Sequence, residues 1–421
     1  MVRGLRVLRY VVVAVTLLLI IYKVSNKDVD LSEYTKKFGN VNSLRGTTGG
    51  LHGGKAEEDV SAPATTAGNS SPAPAQPNAA DGLASTYERQ NATFVTLARN
   101  QDLWAVVGSI REVEDRYNHK YHYDWVFLND AEFTEEFKTI VSSFVSGKAV
   151  FGHIPPEHWS YPDWIDQEKA ALVREEMNEK KIIYGFSEPY RHMCRFESGF
   201  FWRNPALDAY KYYWRVEPHI KLFCDIDYDL FAFMKNNKKS YGFTISLYEY
   251  EATIETLWKT VKGFMAEYPQ HIHPNNALNF ISDDGGETYN LCHFWSNFEV
   301  GDLDFWRSDA YRAFFDYLDK AGGFFYERWG DAPVHSIAAA LLMDRSELHY
   351  FNDVGYWHVP FQNCPVDEET RRRLHCTCPS DDSLPPDQRN IFTWRGYSCT
   401  PRFHKVQGLE RPKGWIEHTD K

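Results

Sequence analysis

Ala92-Thr93-Phe94-Val95-Thr96-Leu97 is an uncharged run of strand-forming side chains, and its alternation with the segments after it decides the fold. Leu103, Val106, Val107, Ile110 and Val113 recur at helical spacing on a segment ending near Tyr117. Residues 123–128 read as a second buried strand, stopped by Asn129-Asp130. Beyond it, 133–144 reads as helix, 149–154 as strand and 164–180 as a charged amphipathic helix. Strand alternating with helix across short links predicts a doubly wound, mainly parallel α/β sheet. Such sheets bind ligands beyond the carboxyl ends of their strands, so chemistry is expected from polar residues at strand exits. No GxGxxG and no GxxxxGK followed by Ser or Thr occurs, so the usual backbone phosphate cradles are missing. With no internal repeat, residues 86–421 read as one domain.

The 421 residues are ample for a large core. Lys and Arg number 46 against 58 Asp and Glu, a net charge of −12, which argues against a partner such as duplex nucleic acid. Thirteen Trp, 25 Tyr and 28 Phe suit either an aromatic-rich core or faces on which sugars stack.

Upstream of the head, Arg3, Arg6 and Arg9 precede an uncharged run over 10–22. We read residues 1–9 as a cytoplasmic tail and 10–22 as a signal anchor that places the rest in the lumen, with a cleaved signal peptide as the other reading. The span is short and suits a thin early-secretory membrane. Residues 23–85 lack apolar periodicity, and 61–78 is dominated by Ala, Pro, Thr, Ser and Gly, so the stretch reads as a disordered stem. Sequons at Asn69 and Asn91 fit lumenal exposure. Seven cysteines allow up to three disulfides with at least one thiol left over. Cys376-Thr377-Cys378 has the wrong spacing for a CxxC motif.

Four segments and one histidine offer candidate chemistry. In Tyr212-Tyr213-Trp214-Arg215-Val216-Glu217-Pro218 a bulky strand ends in an acid, which would suit a divalent cation bridging a diphosphate, or merely face solvent. Asp225-Ile226-Asp227-Tyr228-Asp229 alternates acids on one face, and on residue pattern alone it looks more like a DxD metal motif than Glu217 does. Glu299, after an aromatic run, reads as a nucleophile or oxocarbenium stabiliser, or as a carboxylate paired with an Arg. Asp331, ahead of Ala332-Pro333, reads as a sugar contact or a helix cap. His358 gains interest only beside a carboxylate such as Glu217.

Long blocks of this sequence are shared with a known family. Residues 190–199 (Tyr190-Arg191-His192-Met193-Cys194), 213–218, 281–290 (Ile281-Ser282-Asp283-Asp284), 293–301 and 325–335 closely resemble the fungal α-1,2-mannosyltransferases of glycosyltransferase family 15, over about 86–365. The resemblance implies a GT-A-like head on an N-terminal membrane anchor and stem in the Golgi apparatus. It implies a retaining transfer from GDP-mannose, with Mn²⁺, to mannose-terminated O- and N-linked glycans of cell-wall mannoproteins. It moves the expected metal site from the DxD acids to Glu217 and His358, with Pro218-His219 completing the segment; His219 departs from an acidic DxD ending. It further implies Glu299, Tyr190 and Asp331 as catalytic residues and Arg215 and Glu249 as donor or acceptor contacts. Arg111, at the early strand-helix junction with Ala98-Arg99 and Ser109, is the expected nucleotide-side contact. Expected partners are GDP-mannose, mannosylated glycoproteins, the membrane, and other mannosyltransferases in a complex. Mannosylphosphate transfer, a non-catalytic mannan-binding role and a retaining α-mannosidase are the alternatives.

Overall fold

The computed structural model describes residues 88–378 and 397–411. The tail, anchor and stem expected from the sequence, and the Asn69 sequon, lie outside these residues. Among the described residues no helix is long and apolar enough to cross a membrane.

The alternating segments form strands β1 (Ala92–Leu97), β2 (Asp124–Asn129) and β3 (Ala149–His153), and helices α1 (Leu103–Arg116), α2 (Glu135–Phe144) and α3 (Gln167–Glu179). Thr134 and Asp166 cap α2 and α3 by accepting from the backbone amides of Phe137 and Lys169. Those caps set helix starts a few residues later than the apolar pattern alone suggests. After them come α4 (Glu188–Gly199), β4 (Tyr212–Val216), β5 (Lys221–Leu222), β6 (Tyr241–Phe243), β7 (Ser246–Tyr248), β8 (Cys292–Phe294) and β9 (Phe298–Asp302). The chain continues through α5 (Asp331–Leu342), β10 (Leu348–Tyr350), β11 (Tyr356–His358), β12 (Phe361–Asn363) and α6 (Thr400–Gln407).

A seven-stranded sheet in the order β10-β6-β9-β4-β1-β2-β3 is the frame. The β3-β2-β1-β4 and β10-β6 pairings are parallel, while β9 runs antiparallel to both β4 and β6. The sheet is therefore mixed. The reversal arises because β8 pairs with β7 outside the main sheet, and Trp295-Ser296-Asn297 turns the chain back into it. Both faces are covered, so β1 and β2 are almost wholly buried and lack the polar alternation of a half-exposed sheet. Phe94, Trp125, Phe127 and Trp214 pack under α1, while Val95, Val126, Tyr213 and Tyr241 belong to the opposite core with α4 and α5.

A small antiparallel sheet, β12-β11-β5, decides where the site forms. β5 lies just after Glu217-Pro218-His219, and its pairing with β11 sets Trp357 opposite Lys221 and Tyr356 opposite Leu222. His358 is thereby carried to the end of β4. Disulfides Cys224–Cys376 and Cys364–Cys378 tie this corner together, and Cys292–Cys399 ties β8 to the start of α6. Cys194 is the leftover thiol, buried on α4.

Candidate active site

A cleft of about 710 Å³ opens at the carboxyl ends of the central strands. Leu97, Ala98, Arg99, Asp102, Asn129 and Asp130 line it beyond β1 and β2. Glu217, Pro218 and His219 enter from the end of β4, and His358 from β11. Trp159, Tyr184, Ser187, Pro189, Tyr190 and Met193, largely aromatic and polar, complete the lining. The structure thus brings Glu217, His358 and Tyr190 to one cleft.

Glu217 is held from behind. Arg215 Nε donates to its Oε1 at 2.7 Å, and Arg215 Nη1 donates to Asp331 Oδ2 at 2.6 Å. Ser296 Oγ donates to the same Asp331 oxygen at 2.7 Å. Burial alone would lift the Asp331 carboxyl, but Arg215, His335 and Ser296 together hold it below the usual range. Burial would likewise discharge Arg215, yet the carboxylates around it, Glu217, Asp331 and Glu299, keep it charged. Glu197 on α4 is different: burial, only partly offset by Arg215, pushes its carboxyl up to about 8. It carries a proton at neutral pH, so its 3.9 Å approach to Arg215 is a contact with a neutral acid and no ion pair.

Glu299 lies one layer deeper, opposite Arg215 in the β4-β9 register and 0% exposed. Tyr213 Oη donates to its Oε1 at 2.8 Å and Tyr241 Oη to its Oε2 at 2.9 Å. His335 Nδ1 is 3.1 Å from Oε2, and His335 Nε2 is 3.0 Å from the Glu197 carbonyl oxygen. Both contacts suit a ring N–H; burial opposes a charge on the ring, but the neighbouring Glu299 outweighs it and raises the His335 pKa. Glu299 is not among the residues that line the cleft. The nucleophile expected from the sequence is a caged carboxylate here, because β9 runs antiparallel and points it between two tyrosines.

Other expectations change too. Arg111 is on the solvent face of α1, pairs with Asp115 at 2.8 Å and stays 55% exposed, because the apolar stripe fixes the rotation of the helix. Arg99 and Asp102 occupy the cleft instead, while Ser109 turns inward and accepts from the Ile220 amide. Glu249 does not line the cleft and lies 3.8 Å from Arg328 Nη2. The DxD acids are already engaged. Asp225 pairs with Arg116 and His375, Asp227 with Arg373, and Asp229 accepts from Tyr117 and Tyr123 while capping a helix. Reasoning from sequence missed Glu197, Ser296 and His335. The available signal was spacing: Tyr190, Cys194 and Glu197 share a face of α4, as Asp331 and His335 share a face of α5.

Glu217 and His358 fit a hard-to-borderline divalent cation. His358 Nδ1 is 3.2 Å from the Val359 carbonyl oxygen, which fixes the proton on Nδ1 and leaves Nε2 with its lone pair. Burial also lowers the His358 pKa, against the opposing pull of Glu217, so the ring is neutral. No cluster of three or more His, Cys, Asp or Glu side chains able to hold a metal occurs among the described residues. Glu217 and His358 would hold such an ion as two protein ligands, the pattern that nucleotide-bound divalent ions prefer.

Comparison with known proteins agrees with this geometry. The profile of the glycolipid 2-alpha-mannosyltransferase family matches residues 54–408. Glycolipid 2-alpha-mannosyltransferase 1 of Candida albicans is 64% identical over 332 residues, 79% of this chain and 75% of that protein. Alpha-1,2 mannosyltransferase KTR1 of Saccharomyces cerevisiae is 62% identical over 334 residues, 79% of this chain and 83% of that one. The crystal structure of core-mannan synthase A (CmsA/Ktr4) from Aspergillus fumigatus, in its Mn/GDP form, is 40% identical and superposes with a TM-score of 0.70 over 77% of this chain and 87% of that one. The S. cerevisiae mannosyltransferase Ktr4p with GDP gives 38% identity and the same TM-score over 77% of this chain and 84% of that one. With a mixed, mainly parallel glycosyltransferase fold and a family match across most of its length, this chain belongs to the glycolipid 2-alpha-mannosyltransferase family, glycosyltransferase family 15.

Proposed function

We propose that this chain is a retaining α-1,2-mannosyltransferase that moves mannose from GDP-mannose to the terminal mannose of O- or N-linked glycans. The observation that carries it is the meeting of Glu217 and His358 in a cleft that Trp159, Tyr184 and Tyr190 also line. The Mn/GDP form of a 40% identical structure supports the same metal and nucleotide here. Mn²⁺ supplies positive charge for the diphosphate of the departing GDP.

The chain's own residues do the rest. Arg215 holds Glu217 in place through Nε, and its own orientation is fixed by Asp331. Strand ends at Ala98-Arg99 and Asn129-Asp130 face the nucleotide, and the Tyr184–Tyr190 wall faces the sugars. Glu299 has both oxygens committed, so we read retention as a front-side step. The acceptor oxygen bonds to C1 on the face from which the phosphate oxygen leaves, and the hydroxyl proton passes to that phosphate. Incubation with GDP-mannose, Mn²⁺ and methyl α-mannoside, with NMR of the product, should show an α1→2 linkage and one GDP released per transfer. GDP release without a disaccharide, or no release at all, refutes the reading. EDTA or His358→Ala should abolish the rise in melting temperature caused by GDP and Mn²⁺, about 2.7 kcal/mol of stabilisation at a hundredfold excess over Kd. A GDP effect untouched by both removes the metal site.

We further place the chain in the Golgi membrane as a single-pass type II protein with its head in the lumen. The Arg3-Arg6-Arg9 flank of the apolar run over 10–22 supports this topology. Three disulfides support an oxidising compartment. Protease protection of the head in intact Golgi vesicles tests it.

A further inference from the structure

Arg328 is 4% exposed, yet among the described residues its Nε has no acceptor. Its nearest carboxylate oxygen, Glu249 Oε1, is 3.8 Å from Nη2, too long for a hydrogen bond, and already accepts from the Tyr250 amide at 2.8 Å. A buried guanidinium with so little polar compensation is costly, so something else must hold it there. What it has is a ring. The guanidinium carbon lies 5.2 Å from the centroid of Tyr190, and Tyr184 stacks on the same ring at 4.6 Å with 10° between planes. Tyr184 is half exposed and lines the cleft with Tyr190, so the contacts build a clamp from solvent to core. α4 alone cannot fix the plane of the Tyr190 ring, since an aromatic χ2 is broad and the ring would turn about its own axis.

We propose that Arg328 is a positioning residue: with Tyr184 it clamps Tyr190 into a fixed wall against which the acceptor mannoside is seated. The inference rests on the transferase reading and deepens it. The acceptor is the affected substrate because Tyr184 and Tyr190 bring stacked ring faces to the cleft, which suit a sugar, whereas Glu217 and His358 would serve the metal and the diphosphate. Among the described residues, the Arg328 side chain makes its one ion-pair contact with Glu249, and neither residue lines the cleft.

The test uses the detergent-solubilised full chain with GDP-mannose, Mn²⁺ and methyl α-mannoside. Arg328→Met should raise the acceptor KM by roughly 5- to 30-fold, as loss of a desolvated cation–π contact implies, with the KM for GDP-mannose unchanged. Arg328→Lys should recover most of the loss, because an ammonium also binds a ring face. Tyr184→Ala, at an exposed position that leaves folding intact, should raise the acceptor KM as well. An unchanged acceptor KM in Arg328→Met, equal losses for both substrates, or Lys performing no better than Met would overturn the proposal. If the unaltered chain transfers no mannose, the transferase reading itself has failed, which is a separate result.

Discussion

Replacing Glu197 by Gln should flatten the pH dependence of stability on the alkaline side. Glu197 is 4% exposed on α4, and burial pushes its carboxyl from an ordinary value of 4.5 up to about 8. In the unfolded chain the proton leaves near 4.5; in the folded chain it stays until about 8. The folded state therefore binds more protons between those values, so this group's contribution to stability is full below pH 4.5 and erodes as pH rises to 8. The slope is about 1.4 kcal/mol per pH unit within the window, and the loss between pH 6 and 9 is roughly 3 kcal/mol. His335, whose pKa is also raised, works in the same direction; Asp331, whose pKa is lowered, acts only in acid below the window. Gln cannot ionise and keeps the volume, so Glu197→Gln removes only the first contribution. Melting curves of the two chains at pH 6, 7, 8 and 9 read the difference, expected as a fall of roughly 5 °C in the wild type relative to the variant. Parallel Tm profiles would show that the buried proton is not on Glu197, and would refute the account of how four carboxylates coexist around one Arg215.

Two further perturbations separate role from position. On the front-side reading, Glu299→Gln should retain transfer and added azide should yield no β-mannosyl azide; a β-azide product would restore Glu299 as the nucleophile of a double displacement. Removing Cys224 and Cys376 together as serines should lower stability by about 2–5 kcal/mol. It should also weaken Mn²⁺ binding measured by EPR titration, since the bridge secures the β5-β11 pairing that carries His358. Unchanged Mn²⁺ affinity in the folded double variant would detach the bridge from the site.

What the sequence made legible is local. Leu103, Val106, Val107, Ile110 and Val113 are all buried on α1, where their spacing puts them. The run from 123 to 128 appears as Asp124–Asn129, and Asn129-Asp130 does end it, lining the cleft as strand exits were expected to. Local pattern also misleads where it has no view of burial. Asp225, Asp227 and Asp229 have the better metal-like spacing, yet Arg116, Arg373 and two tyrosines neutralise them from distant parts of the chain. Glu217, with the poorer motif, is the acid that reaches the cleft.

The remaining features depend on register, which no spacing along one segment encodes. Glu299 faces Arg215 only because β9 enters the sheet antiparallel, and a shift of a single residue would turn it to the opposite core with Phe298 and Val300. The same register places Tyr213 and Tyr241, from the two flanking strands, at its two oxygens. His335 reaches one of these oxygens from α5, whose first turn also presents Asp331 to Arg215. Two buried pairs, Glu299 with His335 and Asp331 with Arg215, are thus locked to one sheet and one helix. Glu217 is the single carboxylate of this network that the sheet delivers to the cleft, with one oxygen restrained by Arg215. Of the acids in this network, Glu217 alone is open to the cleft, while its neighbours fix the direction in which it points.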